Sequence, residues 1–184
     1  MILIFASDHE EGGFIATEHL ISNGFKHIGF INGEQGNLCG DERKKGYLSA
    51  LKHHGIDYNE HFEYRLPFGG EWNDFRSGYE IGQNFVQETN RPEAVFAYND
   101  LVALGFQKAV LEGGLNVPQD IAMVGFDNID QCSTAAVPLT TISQPTDRIG
   151  NIAVDVLYRK CRGEEVETRQ VLKPKLVVRD SSSK

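Results

Sequence analysis

The residues that could do chemistry fall where short apolar runs stop. AVFAY (94–98) is followed at once by Asn99-Asp100, and IAMVGF (121–126) by Asp127-Asn128. Two more polar clusters follow apolar runs: Asn32 to Arg43 after HIGFIN, and Trp72 to Asp74 after EYRLPF. An arginine, a tryptophan, an asparagine and an aspartate gathered at one crevice suit a small polar ring. The guanidinium binds bidentately, the indole face stacks, and a carboxylate accepts two hydroxyls or ring N–H groups. A sugar suits this set best, and a nucleobase also stacks and offers N–H donors. Each residue has a structural reading as well. Asn and Asp cap helices and form turns, and Asp100 is placed to cap the helix that follows it. Arg43 could be a solvated residue of DERKK, and Trp72 a loop anchor packed on the core.

Catalysis finds less support. Asp74, Asp100 and Asp127 could serve as acid and base if folding paired two of them, but their spacing does not require it. His9, His53 and His54 sit in polar helix or turn contexts and are read as surface residues. Ser133 follows Cys132 without the glycines of a nucleophile elbow. No Cys-x-x-Cys or His-Glu-x-x-His spacing supports a metal site, and no Gly-rich phosphate loop is present. We therefore expect no catalytic residue, no metal and no cofactor.

The elements that must position these residues are organised around residues 92–127. There a strand runs into a helix that Gly113-Gly114 ends, and a turn at Pro118 leads to a second strand. Two buried strands joined through a helix pair in parallel with a right-handed crossover, and ligands sit beyond their carboxyl ends. The same rhythm predicts strands near 28, 65, 96, 123 and 141, with a further strand at 2–6 and a last one at LVV (176–178). Helices are predicted over 11–21, 43–51, 76–88, 101–111 and 147–159, with Asp8 as a cap. Residues 32–42 read as loop, 162–170 as a charged link and SSSK as a disordered tail. The fold class is α/β: a three-layer, doubly wound, mainly parallel sheet.

Composition narrows the partners. The 184 residues carry a net charge of −8, which argues against nucleic-acid backbone binding by this segment. Three widely spaced cysteines suggest a reducing compartment. No apolar run approaches the roughly 18–20 residues of a membrane helix, and ILIFA is too short for a signal peptide core. We expect a cytoplasmic protein with no membrane partner.

Longer blocks carry a family resemblance. EGGFIATEHLISNGFKHIGFING, ERKKGYLSALKHHGI, AVFAYNDLVALGFQKAVLEGGLNVPQDIAMVGFDN, PLTTISQPTDRIGNIAVDVL and LKPKLVVRDS together resemble the effector-binding core of lactose/galactose-repressor-type bacterial transcription regulators. The match covers nearly the whole chain. It implies a periplasmic-binding-protein-like fold whose two lobes hold a small effector, often a sugar or a nucleobase. On that resemblance Arg43 is the ligand-clamping arginine, Asp127 the strand-end carboxylate and Trp72 the crevice aromatic. Asn99 is the second-lobe contact, Asp74 lies beside Trp72, and Asn37, Leu38 and Cys39 lie on the loop that varies with ligand. Residues 10–140 with 171–180 correspond to the second lobe, and 1–7 and 146–161 to remnants of the first. Residues 181–184 are left as the tail.

The resemblance further implies a homodimer through the helix at 101–111, with Leu101, Leu104 and Lys108 at the interface. That helix is apolar around more than one face, which fits burial on two sides. Operator DNA would be contacted only through an N-terminal helix-turn-helix domain outside this chain. The expectation is thus a ligand-responsive repressor seen as its effector-binding and dimerisation segment, with a sugar as the favoured effector. A periplasmic-type sugar-binding protein is the alternative.

Overall fold

A computed structural model describes residues 3–34, 36–66 and 74–183. The chain runs β1 (Ile4–Ser7), α1 (His9–Ser22), β2 (Ile28–Asn32), α2 (Leu38–His53), β3 (Glu63–Arg65), α3 (Asp74–Gln87), β4 (Ala94–Ala97) and α4 (Asp100–Glu112). It continues with β5 (Ala122–Asp127), α5 (Gln131–Thr134), β6 (Thr140–Ser143), α6 (Thr146–Cys161), β7 (Arg169–Leu172) and β8 (Lys175–Val177). The main sheet has the order β3-β2-β4-β5-β6-β8, parallel except for β8, which pairs antiparallel with β6. A second sheet pairs β1 with β7 in parallel.

The strands of the main sheet are buried on both faces, so they read as unbroken apolar runs rather than alternating ones. AVFA of β4 is fully buried, as are the first five residues of β5. Phe30, Phe96 and Phe126 pack in a row on the face that α1 and α2 cover, with Leu20, Phe25, Tyr47 and Leu51. Ile31, Val95, Ala97 and Met123 face the other way, against Phe85, Val102, Phe106 and Val110 of α3 and α4. This is the three-layer, doubly wound arrangement the strand–helix rhythm predicts.

The α1–α2 layer sets the position of the later site. Asp8 caps α1 as expected, accepting from the Glu11 N–H at 2.9 Å. Gly13 and Gly46 bring the two helices into close approach. A Cβ on Gly13 would lie 2.1 Å from the Arg43 carbonyl oxygen, and one on Gly46 would lie 2.0 Å from that of Glu10. Only glycine fits at that crossing, and the crossing fixes the backbone that carries Arg43 against the start of α1.

Four expectations are corrected. Helix α2 begins at Leu38 rather than Arg43, because Asn37 caps it and accepts from the Gly40 N–H at 3.0 Å. Residues 38–42 are therefore helix, not loop. The charged link hides strand β7, whose partner β1 lies far away in sequence; Val171 and Leu172 thus belong to the small sheet and not with the main one. The tail is ordered up to Ser183: Asp180–Ser182 form a 3-10 turn, and Ser181 and Ser182 are fully buried. Ser181 Oγ donates to the Met123 carbonyl and accepts from the Thr140 N–H, each at 2.8 Å. Finally, Asn99 rather than Asp100 caps α4, accepting from the Val102 N–H at 2.8 Å.

Candidate functional site

The carboxyl ends of β4 and β5 converge on Arg43. Its side chain is 4% exposed although it carries a full charge. Such burial is tolerated only where the charge is partnered. The guanidinium carbon lies 3.7 Å from the centre of the Phe126 ring and 4.9 Å from that of Tyr98, a cation–π seat on two aromatics. Nη1 donates to the Tyr98 carbonyl. Nε donates to His9 Nδ1 at 3.3 Å, and Nη2 faces the same nitrogen at 3.3 Å. Nη2 also lies 3.8 Å from Asp127 Oδ1.

Asp127 ends β5 and is partly exposed. Gln144, just past β6, donates to its Oδ1 at 2.7 Å. Burial pushes its carboxyl above the usual carboxylate range, and Arg43 and Gln144 pull it back only in part. At 3.8 Å the arginine is too far for a hydrogen bond, so the carboxyl keeps unused acceptor capacity toward the crevice. Its backbone has φ +120°, and Asn128 has φ +60°. Non-glycine residues in such conformations are strained by about 1–3 kcal/mol each and cluster at binding sites. Beside Asp127 a hollow of about 390 Å³ opens between Gln144, Asp147 and Lys173.

His9 begins α1, stacks at 5.7 Å on Phe126 and is half-buried. Burial first, and the Arg43 charge second, hold its pKa down at about 4. A neutral imidazole with Nδ1 unprotonated is what the arginine's two N–H groups require. The expectation that His9 is a surface residue is corrected: it is part of the site.

The other sequence candidates divide. Asn37, besides capping α2, donates to the Tyr98 hydroxyl at 2.9 Å, so it reaches the cluster. Asn99 donates to Asp74 Oδ2, which joins α3 to α4 beside Tyr98. Cys39 is half-buried in the first turn of α2, whereas Leu38 is 78% exposed. Trp72 lies outside the described residues. Sequence reasoning missed His9, Tyr98 and Gln144, each of which directly follows a strand or its last turn residue, so the strand-end rule could have named them. Asn32, named in sequence only as the start of a polar cluster, is buried at the end of β2 with its Nδ2 unpartnered.

The dimer candidates lie elsewhere. Leu101 is 42% exposed and Leu104 half-buried, while Lys108 is exposed and paired with Glu112. With Phe75 and Leu111 they line a mostly apolar groove of about 520 Å³ between α4 and α5. Among the described residues, no helix is long and apolar enough to cross a membrane.

Comparison with known proteins places this geometry. Residues 17–182 match the family model described as a periplasmic binding protein-like domain. The chain is 35% identical over 182 residues to the HTH-type transcriptional repressor PurR of Aliivibrio fischeri, covering 95% of this chain and 51% of that protein. It thus spans about half the length of the curated relatives it matches. Among solved structures, the transcriptional regulator CelR in complex with cellobiose superposes with a TM-score of 0.87 at 32% identity, over 98% of this chain and 54% of that one. A LacI-family regulatory protein from Chloroflexus aggregans gives a TM-score of 0.89 at 26% identity, over 100% of this chain and 64% of that one.

Proposed function

This chain belongs to the periplasmic binding protein-like domain family, within the LacI-type group of transcription regulators, and on that premise we propose that it is the effector-binding and pairing segment of a ligand-responsive repressor. The observation that supports this most is Arg43. A buried guanidinium seated on two aromatic rings, with an incompletely satisfied aspartate 3.8 Å away, is costly to build into a lobe for stability alone. It is a preorganised place for a small polar molecule.

The effector is a sugar. Asp127 takes two of its hydroxyls, Arg43 clamps it, and Asn37 and Asn99 complete the crevice. The CelR neighbour solved with cellobiose supports this reading. A nucleobase is the alternative, which would stack on Tyr98 and give its N–H groups to Asp127. The segment is read as non-enzymatic, in keeping with relatives that are transcription regulators. Residues 10–143 with 173–180 form one lobe of the binding unit, since β6 runs to Ser143 in the main sheet, and β1, β7 and α6 belong to the other. Two copies pair through the α4–α5 groove. A net charge of −8 disfavours DNA contact by these residues, so operator binding falls to a helix-turn-helix domain outside them, and the protein acts in the cytoplasm. A periplasmic-type sugar-binding protein would share the fold, but the relatives named as repressors favour the regulator.

Calorimetry with cellobiose, ribose, glucose, hypoxanthine and guanine tests the proposal. One of these classes binds the wild type, and Asp127→Ala weakens it at least about tenfold, the loss of a charged hydrogen-bonding partner. A ligand whose affinity ignores both Asp127→Ala and Arg43→Met would remove the effector assignment from this crevice.

A further inference from the structure

One buried acid beside the site has no part in that reading. Asp100 opens α4 with no exposed surface, yet Asn99 and not Asp100 caps the helix. The Asp100 carboxyl instead reaches across to the next strand end. Its Oδ1 accepts from Thr141 Oγ1 on β6 at 2.5 Å, and its Oδ2 accepts from the Ile129 N–H at 3.0 Å. The Cys132 thiol bonds to the same carboxyl. The approach to β5 is so close that a Cβ on Gly125 would lie 2.2 Å from Oδ1. Thr141 Oγ1 in turn accepts from the Asn128 N–H at 3.3 Å.

Of these groups, Ile129 and Asn128 belong to the turn that leaves β5, Cys132 stands on α5 just beyond it, and Thr141, which bonds to Asn128, stands on the strand beside it. That turn carries the two positive-φ residues, Asp127 and Asn128. Strained backbone persists only where its surroundings over-determine it. Asp100 does this from inside, with several donors converging on one carboxyl. The same turn continues into α5, whose Gln131 and Thr134 form the wall of the groove opposite Leu101 and Leu104. Asp100 therefore sits between the conformation that aims Asp127 and the wall that sets the groove's width.

We propose that Asp100 is a positioning residue that locks the Asp127–Ile129 turn to the base of α4, so that ligand capture at Asp127 and pairing through the α4–α5 groove shift together. The coupling rests on the reading of Asp127 and of the groove given above. Its carrier is a single turn with a defined set of hydrogen bonds rather than a path traced through the core, which is the kind of element that can bias two sites at once. The strain at Asp127 is released when the lock opens, and the wall of the groove moves with it.

The test uses the whole chain with Asp100→Asn, Thr141→Val and Thr141→Ser, hydrogen exchange at individual amides and sedimentation equilibrium. Losing a hydrogen bond to a charged group predicts that the Ile129 amide exchanges about tenfold to a hundredfold faster in Asp100→Asn and in Thr141→Val. Amides of Phe96 and Val124, inside the sheet, keep their protection. The dimer dissociation constant rises about tenfold in the same two variants, although neither residue lines the groove. Thr141→Ser, which restores the hydroxyl, behaves as wild type in both measurements. If Asp100→Asn fails to fold, Thr141→Val decides. Faster Ile129 exchange with unchanged pairing overturns the coupling, and unchanged exchange overturns the positioning role. A wild-type chain that never pairs overturns the groove reading and the coupling with it, while Ile129 still reports whether Asp100 holds the turn.

Discussion

Acidification should loosen this lobe through His9. The ring nitrogen that accepts from Arg43 cannot also hold a proton, and the guanidinium 3.3 Å away opposes a second positive charge. The other groups facing the ring are Phe126, which is neutral, and Asp8, whose charge favours protonation but is outweighed. The folded pKa is about 4 against 6.5 for a free histidine. Between those values the unfolded chain binds a proton that the folded chain refuses, so stability falls as pH drops from 6.5 toward 4. A displacement of that size would be worth about 3 kcal/mol for an enclosed group; solvent screening of a half-exposed ring reduces it to about 1–2 kcal/mol. Urea denaturation at pH 7.5 and pH 5, on the wild type and on His9→Asn, isolates the effect. Asparagine keeps an acceptor near the Nδ1 position and does not titrate, so it removes the pH term while retaining the contact. The wild type should lose about 1 kcal/mol more than the variant over that interval, which stops short of the folded pKa. His19, also held low by burial, titrates in both proteins and cancels in the difference. Parallel losses in the two proteins would refute the placement of a neutral His9 against Arg43.

Two further outcomes follow from contacts described above. Leu104→Asp puts a carboxylate into the apolar groove and should leave a monomer in sedimentation velocity, with a wild-type circular dichroism spectrum because the side chain is only partly buried at the edge of the core; an unchanged oligomer would place pairing elsewhere. Ser181→Ala removes the hydroxyl that joins the Thr140 N–H to the Met123 carbonyl and should cost about 1–3 kcal/mol in urea unfolding, where a truly disordered tail would show no change.

Much of the architecture was legible because strands buried on both faces leave long apolar runs, and because runs of strand and helix permit few topologies. AVFA and AMVGF could hardly be anything but central strands. Arg43, Asn99 and Asp127 were legible for the same reason, since parallel sheets place functional groups at strand ends. What escaped detection depended on partners remote in sequence. RQVL is a strand only because β1 offers an edge some 160 residues away. Three serines look like a solvated tail until the ends of β5 and β6 supply buried acceptors and donors. The first turn of α2 was hidden by Gly36 and Gly40, which resemble loop residues, although Asn37 between them is a good capping residue. His9 was judged by its polar neighbours in sequence, while its real neighbours, Phe126 and Arg43, come from β5 and α2. The exchange of roles between Asn99 and Asp100 lies beyond sequence: both side chains can cap, and only the fold shows that one of them is needed elsewhere.

The chain passes between its two sheets three times: from β1 into α1, from β6 into α6, and from β7 into β8. The crossings run close together, with the Asp8 N–H bonded to the Leu172 carbonyl at 2.9 Å and Pro174 against Gly12. Mechanically this is a door hung on three adjacent pins. Shear and twist strain every pin at once, whereas rotation about their common line strains none of them much. Two side chains of the site stand on the pins themselves, His9 on the first and Gln144 on the second. The small molecule proposed to bind Arg43 and Asp127 would therefore push near the axle, where little travel is needed. The 16 residues of α6 extend about 24 Å from that line, and the displacement grows along their length. Were the crevice to take the small molecule proposed for it, ångström-scale adjustments there would emerge at the far end of α6 as a larger swing.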